Sequence, residues 1–142
     1  GTVMTSATIN RALAAMPQQQ PMYQITGATH AAAWCLPGGE LGVVREDVGR
    51  HNALDKLMGA MARTRQSTAE GALLLTSRAS YEMVQKAAWC GVAIVVAVSA
   101  PTALAIAIAE NAHITLLGLA RDGRYVAYTH PSRLSDYAAP SE

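Results

Sequence analysis

Charged residues are scarce in this sequence. Lysine, arginine, aspartate and glutamate make up 15% of the 142 residues, and the formal net charge at pH 7 is +1. Because 51% of the residues are hydrophobic, the chain is expected to fold as a globular domain rather than remain disordered. The near balance of charge argues against broad, non-specific binding to nucleic acid, although a local basic site would still bind a phosphate.

Long hydrophobic runs are lacking as well. The apolar stretches around Leu73 and Val95 have the length of buried strands, well short of the ~20 residues that span a bilayer. The first residues, GTVMTSATIN, do not combine a basic segment with an apolar one, so they do not resemble a secretory signal. We therefore expect a cytoplasmic protein that does not contact a membrane.

Cysteine is also rare, and the sequence contains only Cys35 and Cys90. The two lie far apart, each inside an apolar stretch, so they do not make a disulfide framework. We interpret both as small buried hydrophobic residues rather than as reactive thiols.

The amino-terminal part contains a predicted helix and a predicted hairpin. Alanine-rich spacing favours a helix from Ser6 to Met16, which Pro17 ends, and the glutamines that follow are interpreted as a link. Two short extended segments, at 29–36 and 41–45, are joined by the turn residues PGGE. This pattern predicts a β-hairpin.

Helices and strands alternate through the remainder of the chain, which we interpret as one α/β domain over residues 1–142. A helix is predicted to reach about Thr64, and its buried face consists of Leu54, Leu57, Met58 and Met61. Strands are predicted in GALLLT, VAIVVAV and ITLLGLA, with helices at 80–90 and 101–111 between them. Apolar strands separated by single helices indicate right-handed βαβ crossovers and a mixed sheet that is covered on both faces. RDGRYVAYT adds a turn and an edge strand, and the tail from Pro131 is expected to be loosely ordered.

Polar residues concentrate where strands end and helices begin. In such a sheet, ligands bind beyond the carboxyl ends of the strands, where the loops lead into helix N-termini. The first cluster is the stretch REDVGRHNALDK, in which Arg45, Glu46 and Asp47 come at the end of a strand. The following helix carries a polar arc beside its buried face, formed by His51, Asn52, Asp55, Lys56 and Gly59.

A solvated helix face explains the charges of this first cluster about as well as a binding site does. The residue types favour a binding site, because Arg50, His51 and Asn52 are mediocre helix formers. A face that is merely solvated more often consists of Glu, Lys and Gln.

The second cluster is TSRASYEMVQK, at another junction of strand and helix. Ser80 is a plausible N-cap, and the free N–H groups after it would attract an anion that Arg78 could also contact. The plainer interpretation is that Ser80 caps the helix while Glu82 and Lys86 form a surface pair four residues apart. That interpretation leaves Arg78 unexplained.

The third cluster is SAPTA, at the neighbouring parallel junction. Pro101 suits the first turn of a helix, and capping is the usual role of such a segment. As a neighbour of the second cluster, however, it would place Ser99 and Thr102 at the same crevice as Arg78. His30 is more often a structural residue in this context, and its functional alternative is to donate to a ligand at the hairpin.

Four of these stretches, TGATHAAAW, REDVGRHNALDKLMG, SRASYEMVQKAA and SAPTALAI, closely resemble the ordered motifs of the formate dehydrogenase accessory sulfurtransferases, the FdhD family. The resemblance runs from about Ile25 to Arg133. It implies a protein that matures molybdenum- or tungsten-dependent formate dehydrogenases by carrying sulfur from a cysteine desulfurase to the bis-molybdopterin guanine dinucleotide cofactor. It also implies a three-layer αβα sandwich like that of cytidine deaminases, beginning with a hairpin.

A zinc-dependent deaminase is the natural rival within that fold. Such an enzyme needs His-x-Glu and Pro-Cys-x-x-Cys. Here His30 and His51 are followed by no suitably spaced glutamate, and the second junction reads Ser77-Arg78-Ala79-Ser80 in place of the cysteine pair. Because serine is a poor zinc ligand, we expect neither zinc nor deaminase chemistry.

The resemblance also includes one marked departure. The CxxC pair of the family, which would carry sulfur as a persulfide, falls on residues 1–4, and GTVM contains no cysteine. The family's amino-terminal domain has no counterpart in this sequence. We therefore expect the chain to bind the cofactor without transferring sulfur.

The resulting hypothesis assigns no catalytic residue and a set of cofactor-binding residues. Arg78 and the helix end at Ser80 would hold phosphate, Arg50 a second phosphate, and the polar arc would position the pterin or guanine. Arg45, Glu46 and Asp47 would brace the first junction. Expected partners are the formate dehydrogenase catalytic subunit, a cysteine desulfurase and a second copy of the chain. The alternative is a non-catalytic module that docks onto formate dehydrogenase or the desulfurase.

Overall fold

A computed structural model describes residues 3–137, and these residues form a six-stranded sheet. The strands are β1 (His30–Cys35), β2 (Leu41–Asp47), β3 (Ala72–Leu75), β4 (Ile94–Ala97), β5 (Thr115–Arg121) and β6 (Arg124–Thr129). Their order across the sheet is β2-β1-β3-β4-β5-β6. β3, β4 and β5 run parallel, whereas β1 and β6 are antiparallel to their neighbours. The predicted mixed sheet, with its hairpin and βαβαβ core, is confirmed.

Helices cover both faces of this sheet. One face, which we call the α3 face, is covered by α3 (Arg50–Arg63), α4 (Tyr81–Trp89) and α5 (Ala103–Asn111). The other, which we call the α1 face, is covered by α1 (Ser6–Ala15). A 3₁₀ turn (Met16–Gln19) and α2 (Pro21–Thr26) follow α1. The predicted three-layer sandwich is thus confirmed.

Side chains alternate along each strand and supply a core on either side of the sheet. On β1, Ala32 and Trp34 belong to the core of the α3 face, whereas Ala31, Ala33 and Cys35 belong to the core of the α1 face. Because both sides are buried, the central strands have apolar sequences throughout.

α3 buries the face that its sequence predicts. The four apolar residues at helical spacing are all buried: Leu54, Leu57, Met58 and Met61. The polar arc beside them is exposed or half-buried: His51, Asn52, Asp55, Lys56 and Gly59. The helix therefore anchors to the core on one side and presents polar groups along its border.

The glutamines predicted to form a link belong in part to a 3₁₀ turn (Met16–Gln19), and the helix α2 that follows them was not predicted. α2 starts with Pro21, whose fixed φ and missing N–H suit the first turn of a helix. The N–H groups of Met22 and Tyr23 donate to the carboxylate of Glu46, at the far end of β2. The capping group therefore comes from a distant part of the chain, which explains why local sequence patterns did not reveal the helix.

The start of α5 also differs from the prediction. Pro101 was expected in the first helical turn, but the helix begins at Ala103. Thr102 is the N-cap, and its Oγ1 accepts from the Ala105 N–H at 3.1 Å. A threonine side chain makes a better cap than proline, so the boundary moves by two residues.

The tail is more ordered than expected as far as Tyr137. Pro131–Arg133 form a 3₁₀ turn, and Leu134 is buried and pairs with Met4 beside the core of the α1 face. Residues 138–142 lie outside the described part, as do Gly1 and Thr2 of the GTVM stretch.

Candidate functional site

The polar junctions singled out in the sequence meet at one edge of the sheet. His30, at the start of β1, pairs with Asp47, at the end of β2. Ala32 pairs with Leu75 at the end of β3, which lies beside Ala97 at the end of β4. The start of β1 and the ends of β2, β3 and β4 therefore share an edge, which we call the carboxyl edge.

Asp47 and Lys56 connect the end of β2 to α3. Lys56 Nζ lies 2.7 Å from Asp47 Oδ2 and donates to the carbonyl oxygen of Glu46 at 3.1 Å. Asp47 Oδ1 also accepts from the N–H of Gly49 at 2.9 Å. The hydrogen bond from Gly49, together with Lys56, lowers the pKa of the Asp47 carboxyl below its usual value. Both charged side chains are thus engaged in holding the junction.

Glu46 serves the α1 face rather than the junction with α3. Its Oε2 accepts from the Met22 N–H at 2.9 Å, and its Oε1 accepts from the Tyr23 N–H and Thr29 Oγ1, both at 3.0 Å. With these hydrogen bonds Glu46 caps α2, so the expectation that its side chain braces the first junction is corrected.

α3 and α4 contact each other through side chains near the carboxyl edge. His51 Nε2 lies 3.5 Å from Ser80 Oγ and 3.9 Å from Glu82 Oε1. One turn further on, Lys86 forms an ion pair with Asp55. The surface pair between Glu82 and Lys86, considered from the sequence, is therefore replaced by pairs between the helices. Two residues of the predicted arc, His51 and Asp55, are used for helix contact.

The helix N-termini differ in how they are capped. In the described chain, the side chains of Thr5, Glu46 and Thr102 accept from first-turn N–H groups of α1, α2 and α5 respectively. α3 has Gly49 at its N-cap, and α4 has Ser80, and neither receives a side-chain capping hydrogen bond. Ser80 thus occupies the predicted position without making the predicted bond. The two uncapped N-termini are neighbours at the carboxyl edge, because His51 and Ser80 are in contact.

Three arginines were predicted to lie near this edge. Arg45 is exposed, and its Nη1 donates to the adjacent Val44 carbonyl at 2.9 Å. Arg50, in the first turn of α3, has its Nε buried without a hydrogen-bond partner among the described residues. Arg78 is exposed; its carbonyl accepts from Ser77 Oγ at 3.1 Å, but its guanidinium makes no hydrogen bond or ion pair with a described residue. Arg50 and Arg78 thus flank the uncapped N-termini with unused hydrogen-bond donors.

The third junction lies directly beside the second. The Thr102 N–H donates to the carbonyl of Ala79 at 3.1 Å, which joins the loop before α5 to the loop before α4. Thr102 uses its hydroxyl to cap α5, while the carbonyl of Ser99 accepts from the Leu119 N–H at 3.3 Å. The Ser99 hydroxyl makes no hydrogen bond to a described residue, and the side chain of Asn52 is exposed. Of Ser99 and Thr102, therefore, only Ser99 has a hydroxyl that is not already used in a hydrogen bond to a described residue.

A cavity of about 770 Å³ opens at the same edge, on the α1 face. Its walls come from α1, the 3₁₀ turn, α2 and the turn between β5 and β6, and its polar lining includes Asn10, Gln20, Tyr23, His30, Arg121 and Asp122. Of the predicted site residues, only His30 is among those that line it. The sequence did reveal the Asp-Gly turn, but not the face of the sheet towards which that turn lies.

The family-model comparison matches residues 1–135 to the FdhD/NarQ family. This chain belongs to the FdhD/NarQ family. The FdhD/NarQ chain is also similar to a crystal structure of a proposed formate dehydrogenase accessory protein from Desulfotalea psychrophila, with 30% sequence identity and a TM-score of 0.88. The match covers 94% of this chain and 60% of that one, so the present chain spans less than two thirds of its relative.

The two cysteines of this FdhD/NarQ chain lie in different environments. Cys35 is buried as predicted, and burial, with a smaller contribution from Glu40, raises the pKa of its thiol to about 11. Cys90 is only half-buried, so the prediction that it is buried is wrong. It follows α4 directly, where the chain leaves the helix at the surface. Because the pKa of the Cys35 thiol is raised, Cys35 is protonated at neutral pH and has little thiolate character.

Neither a metal cluster nor a membrane-spanning helix occurs within residues 3–137. No three His, Cys, Asp or Glu side chains of this part lie close enough together to hold a metal ion. None of its helices is both long and apolar enough to cross a bilayer.

Proposed function

We propose that this chain is the cofactor-binding core of a formate dehydrogenase maturation factor and that its ligand is the bis-molybdopterin guanine dinucleotide cofactor. Membership of the FdhD/NarQ family and similarity to the Desulfotalea psychrophila protein support the biological role. The metal of the bound cofactor, molybdenum or tungsten, would be the atom that receives sulfur. The residues of this chain would bind and orient the nucleotide part.

The observation that carries the proposal is the pair of uncapped helix N-termini at the carboxyl edge. The first N–H groups of a helix have no partner within the helix, and the helix dipole adds partial positive charge there. α3 and α4 offer such groups side by side, without a capping side chain. A phosphate would satisfy them, and Arg50 and Arg78 would add charged donors. The donor set thus fits a diphosphate.

The neighbouring side chains have supporting roles in this proposal. His51 and Ser80 would border the phosphate, and the Asn52 amide, which hydrogen-bonds to the Asp47 carboxylate, would help to hold the start of α3. Glu82 is the one carboxylate in the first turn of α4, and its contact with His51 holds it beside that ring. The ion pair between Asp47 and Lys56 would hold the end of β2 against α3.

We propose that these residues bind the cofactor without transferring sulfur themselves. A persulfide carrier needs an accessible thiolate. Burial and the raised pKa argue against Cys35 as a carrier, and Cys90 lies at the C-terminal end of α4, away from the carboxyl edge where the cofactor would bind. A cysteine desulfurase would supply the sulfur, and the formate dehydrogenase catalytic subunit would receive the finished cofactor.

Calorimetric titration with GDP, as a stand-in for the nucleotide part of the cofactor, tests the proposal. We expect saturable binding that Arg78→Ala weakens about tenfold, since a hydrogen bond to a charged group contributes ~1.5–3 kcal/mol. The melting temperature should stay the same, because the Arg78 side chain is exposed and has no partner among the described residues. Arg63→Ala, at the far end of α3, is the matched control and should bind normally. A large loss of stability in Arg78→Ala would make Arg78 structural.

A protein-docking module is the second candidate, and one observation favours it. Trp89 is 91% exposed at the C-terminal end of α4, and the neighbouring helix α5 carries one charged residue, Glu110, and exposes Leu104 at its N-terminal end. Exposed apolar surface of this kind marks interaction sites, including contacts between two copies of a chain. Pull-down of formate dehydrogenase that survives loss of GDP binding but is abolished by Trp89→Glu would favour docking. Light scattering on the same variant would test the expected homodimer.

A further inference from the structure

The outer side of α5 is apolar although it is exposed. The sequence of this helix, ALAIAIAEN, has no charged residue before Glu110. Ala105 and Ala109 are its buried residues, whereas Leu104 and Ala107 are exposed. A helix that is apolar on all sides is normally buried on all sides. A single copy of the chain therefore leaves one side of α5 without the cover that its sequence calls for.

The large exposed apolar side chains of α4 and α5 lie at opposite ends of this helix pair. Each helix leads from the end of one parallel strand to the start of the next, so the two helices run in the same direction. Tyr81 and Leu104 are exposed in their first turns, whereas the exposed Trp89 is the last residue of α4. A helix of 9 residues is about 13.5 Å long. Within one chain, Trp89 therefore does not cover Leu104.

The charged side chains of this helix pair are already engaged within the chain. Each one lies beside an ionisable group of another element: Glu82 beside His51, Lys86 beside Asp55, and Glu110 beside His130. A strongly acidic or basic partner would find no unpaired charge to complement on α4 or α5. Because charge complementarity determines which charged partners associate, this surface suits an apolar partner.

We propose that the partner of this surface is a second copy of the chain, and that a two-fold axis places Trp89 of each copy against Leu104 of the other. In a two-fold interface the same patch is used twice, so residue i contacts residue j and residue j contacts residue i. A patch whose apolar anchors lie at opposite ends meets this condition, because turning one copy end for end joins the two anchors. The exposed Ala103 and Ala107 leave room for the helices to approach. The inference gives the docking candidate a defined partner and is independent of nucleotide binding.

Sedimentation equilibrium of the 142-residue chain, over a series of concentrations, measures the dimer dissociation constant. We expect a dimer that Trp89→Lys and Leu104→Glu each weaken about a hundredfold, because apolar anchors supply most of the binding energy of an interface. Both substitutions suit the helix dipole, which favours a cation at the end of α4 and an anion at the start of α5, so the far-ultraviolet circular dichroism should not change. Ile25→Glu, at an exposed position of α2, is the matched control and should dimerise normally.

A mixture of the two variants tests the pairing of Trp89 with Leu104. In a homodimer of either variant, both contacts contain a substituted residue. In the mixed dimer, one contact joins the introduced ammonium group to the introduced carboxylate, and the other keeps the original tryptophan against the original leucine. We therefore expect the mixture to dimerise roughly tenfold more tightly than either variant alone.

Tryptophan fluorescence gives a second readout of the same contact. The sequence contains two tryptophans, and Trp34 is fully buried within one copy of the chain. Dilution that separates the copies should therefore shift the emission of Trp89 alone to longer wavelength, at the concentrations at which the mass falls. A mass that falls without a shift in emission would place the interface away from Trp89.

Three further results would overturn the inference. If the chain sedimented as a monomer at every concentration, its partner would be another protein. Normal dimerisation of Trp89→Lys or Leu104→Glu would place the interface elsewhere, and a mixture no tighter than the separate variants would reject the pairing. GDP titration separates this inference from the proposed function, because a monomeric variant should still bind GDP. A dimer that depends on Trp89 but does not bind GDP would leave this inference standing and the phosphate site rejected.

Discussion

The two faces of the sheet present polar groups differently at the carboxyl edge. On the α3 face, two helices expose uncapped N-termini, with Arg78 free beside them. On the α1 face, a cavity of about 770 Å³ is lined by polar side chains such as Asn10, Tyr23 and His30 together with apolar ones. Backbone N–H groups and arginine suit phosphate, whereas the cavity has the mixed polar and apolar lining that is usual for small-molecule sites. The features that suit an anion therefore lie on the α3 face.

The largest effect that distinguishes the faces is expected from Glu46→Ala. Loss of its three hydrogen bonds should lower the free energy of unfolding by about 2 kcal/mol and release the start of α2. Urea unfolding measures the first effect, and amide hydrogen exchange measures the second. Exchange should accelerate in α2 but not in α3 or α4. Glu70→Ala, at an exposed loop position, is the control. If amide exchange accelerated equally in α2, α3 and α4, Glu46 would not be stabilising the α1 face alone.

A pair of substitutions at helix caps should give the next largest effect. Thr102→Ala removes a cap from α5 and should cost about 1 kcal/mol. Ser80→Ala should cost only a few tenths of a kcal/mol by the same principle, because Ser80 makes no capping hydrogen bond to α4. Chemical denaturation of both variants measures the difference. Equal losses would mean that α4 is capped in solution and does not offer free N–H groups to an anion.

The smallest effect is expected from removing the charge of Asp47, which pairs with Lys56 and accepts a hydrogen bond from Gly49. Its pKa is lowered in the folded protein, so its stabilising contribution is present above the usual carboxyl pKa of 3.8 and is lost as the pH falls through the folded value. Asp47→Asn keeps an acceptor for Gly49 but removes the charge. The variant should be slightly less stable than wild type at pH 7, and the difference should shrink near pH 3. Urea unfolding at the two pH values is the measurement, and an unchanged difference would assign the effect to packing.

Regular features of the fold were predictable because they depend on local patterns. The spacing of Leu54, Leu57 and Met61 placed the buried face of α3, and the apolar strands separated by helices gave the parallel core. α2 was missed because its cap, Glu46, comes from a strand far along the chain. Propensity describes neighbours in sequence, so it does not show a cap that tertiary structure supplies.

The candidate site was predictable in part for the same reason. Clusters at strand ends are visible in sequence, and the topology brings them to one edge. The partners of individual side chains were not visible: Glu46 belongs to α2, and Lys86 pairs with Asp55 rather than with Glu82. Gln20 was assigned to a link because nothing local distinguishes it from its exposed neighbour Gln19. Its burial depends on how the 3₁₀ turn joins α1 to α2, which is a feature of the tertiary structure.

The most direct test of the central claim is to follow backbone amide resonances while the ¹⁵N-labelled chain is titrated with GDP. The account predicts saturable shifts at the first-turn amides of α3 and α4, from Arg50 to Asn52 and from Tyr81 to Met83. Those shifts should weaken in Arg78→Ala at equal GDP concentration. If these amides do not respond to GDP, the uncapped N-termini do not bind phosphate and the proposed function of this edge is wrong.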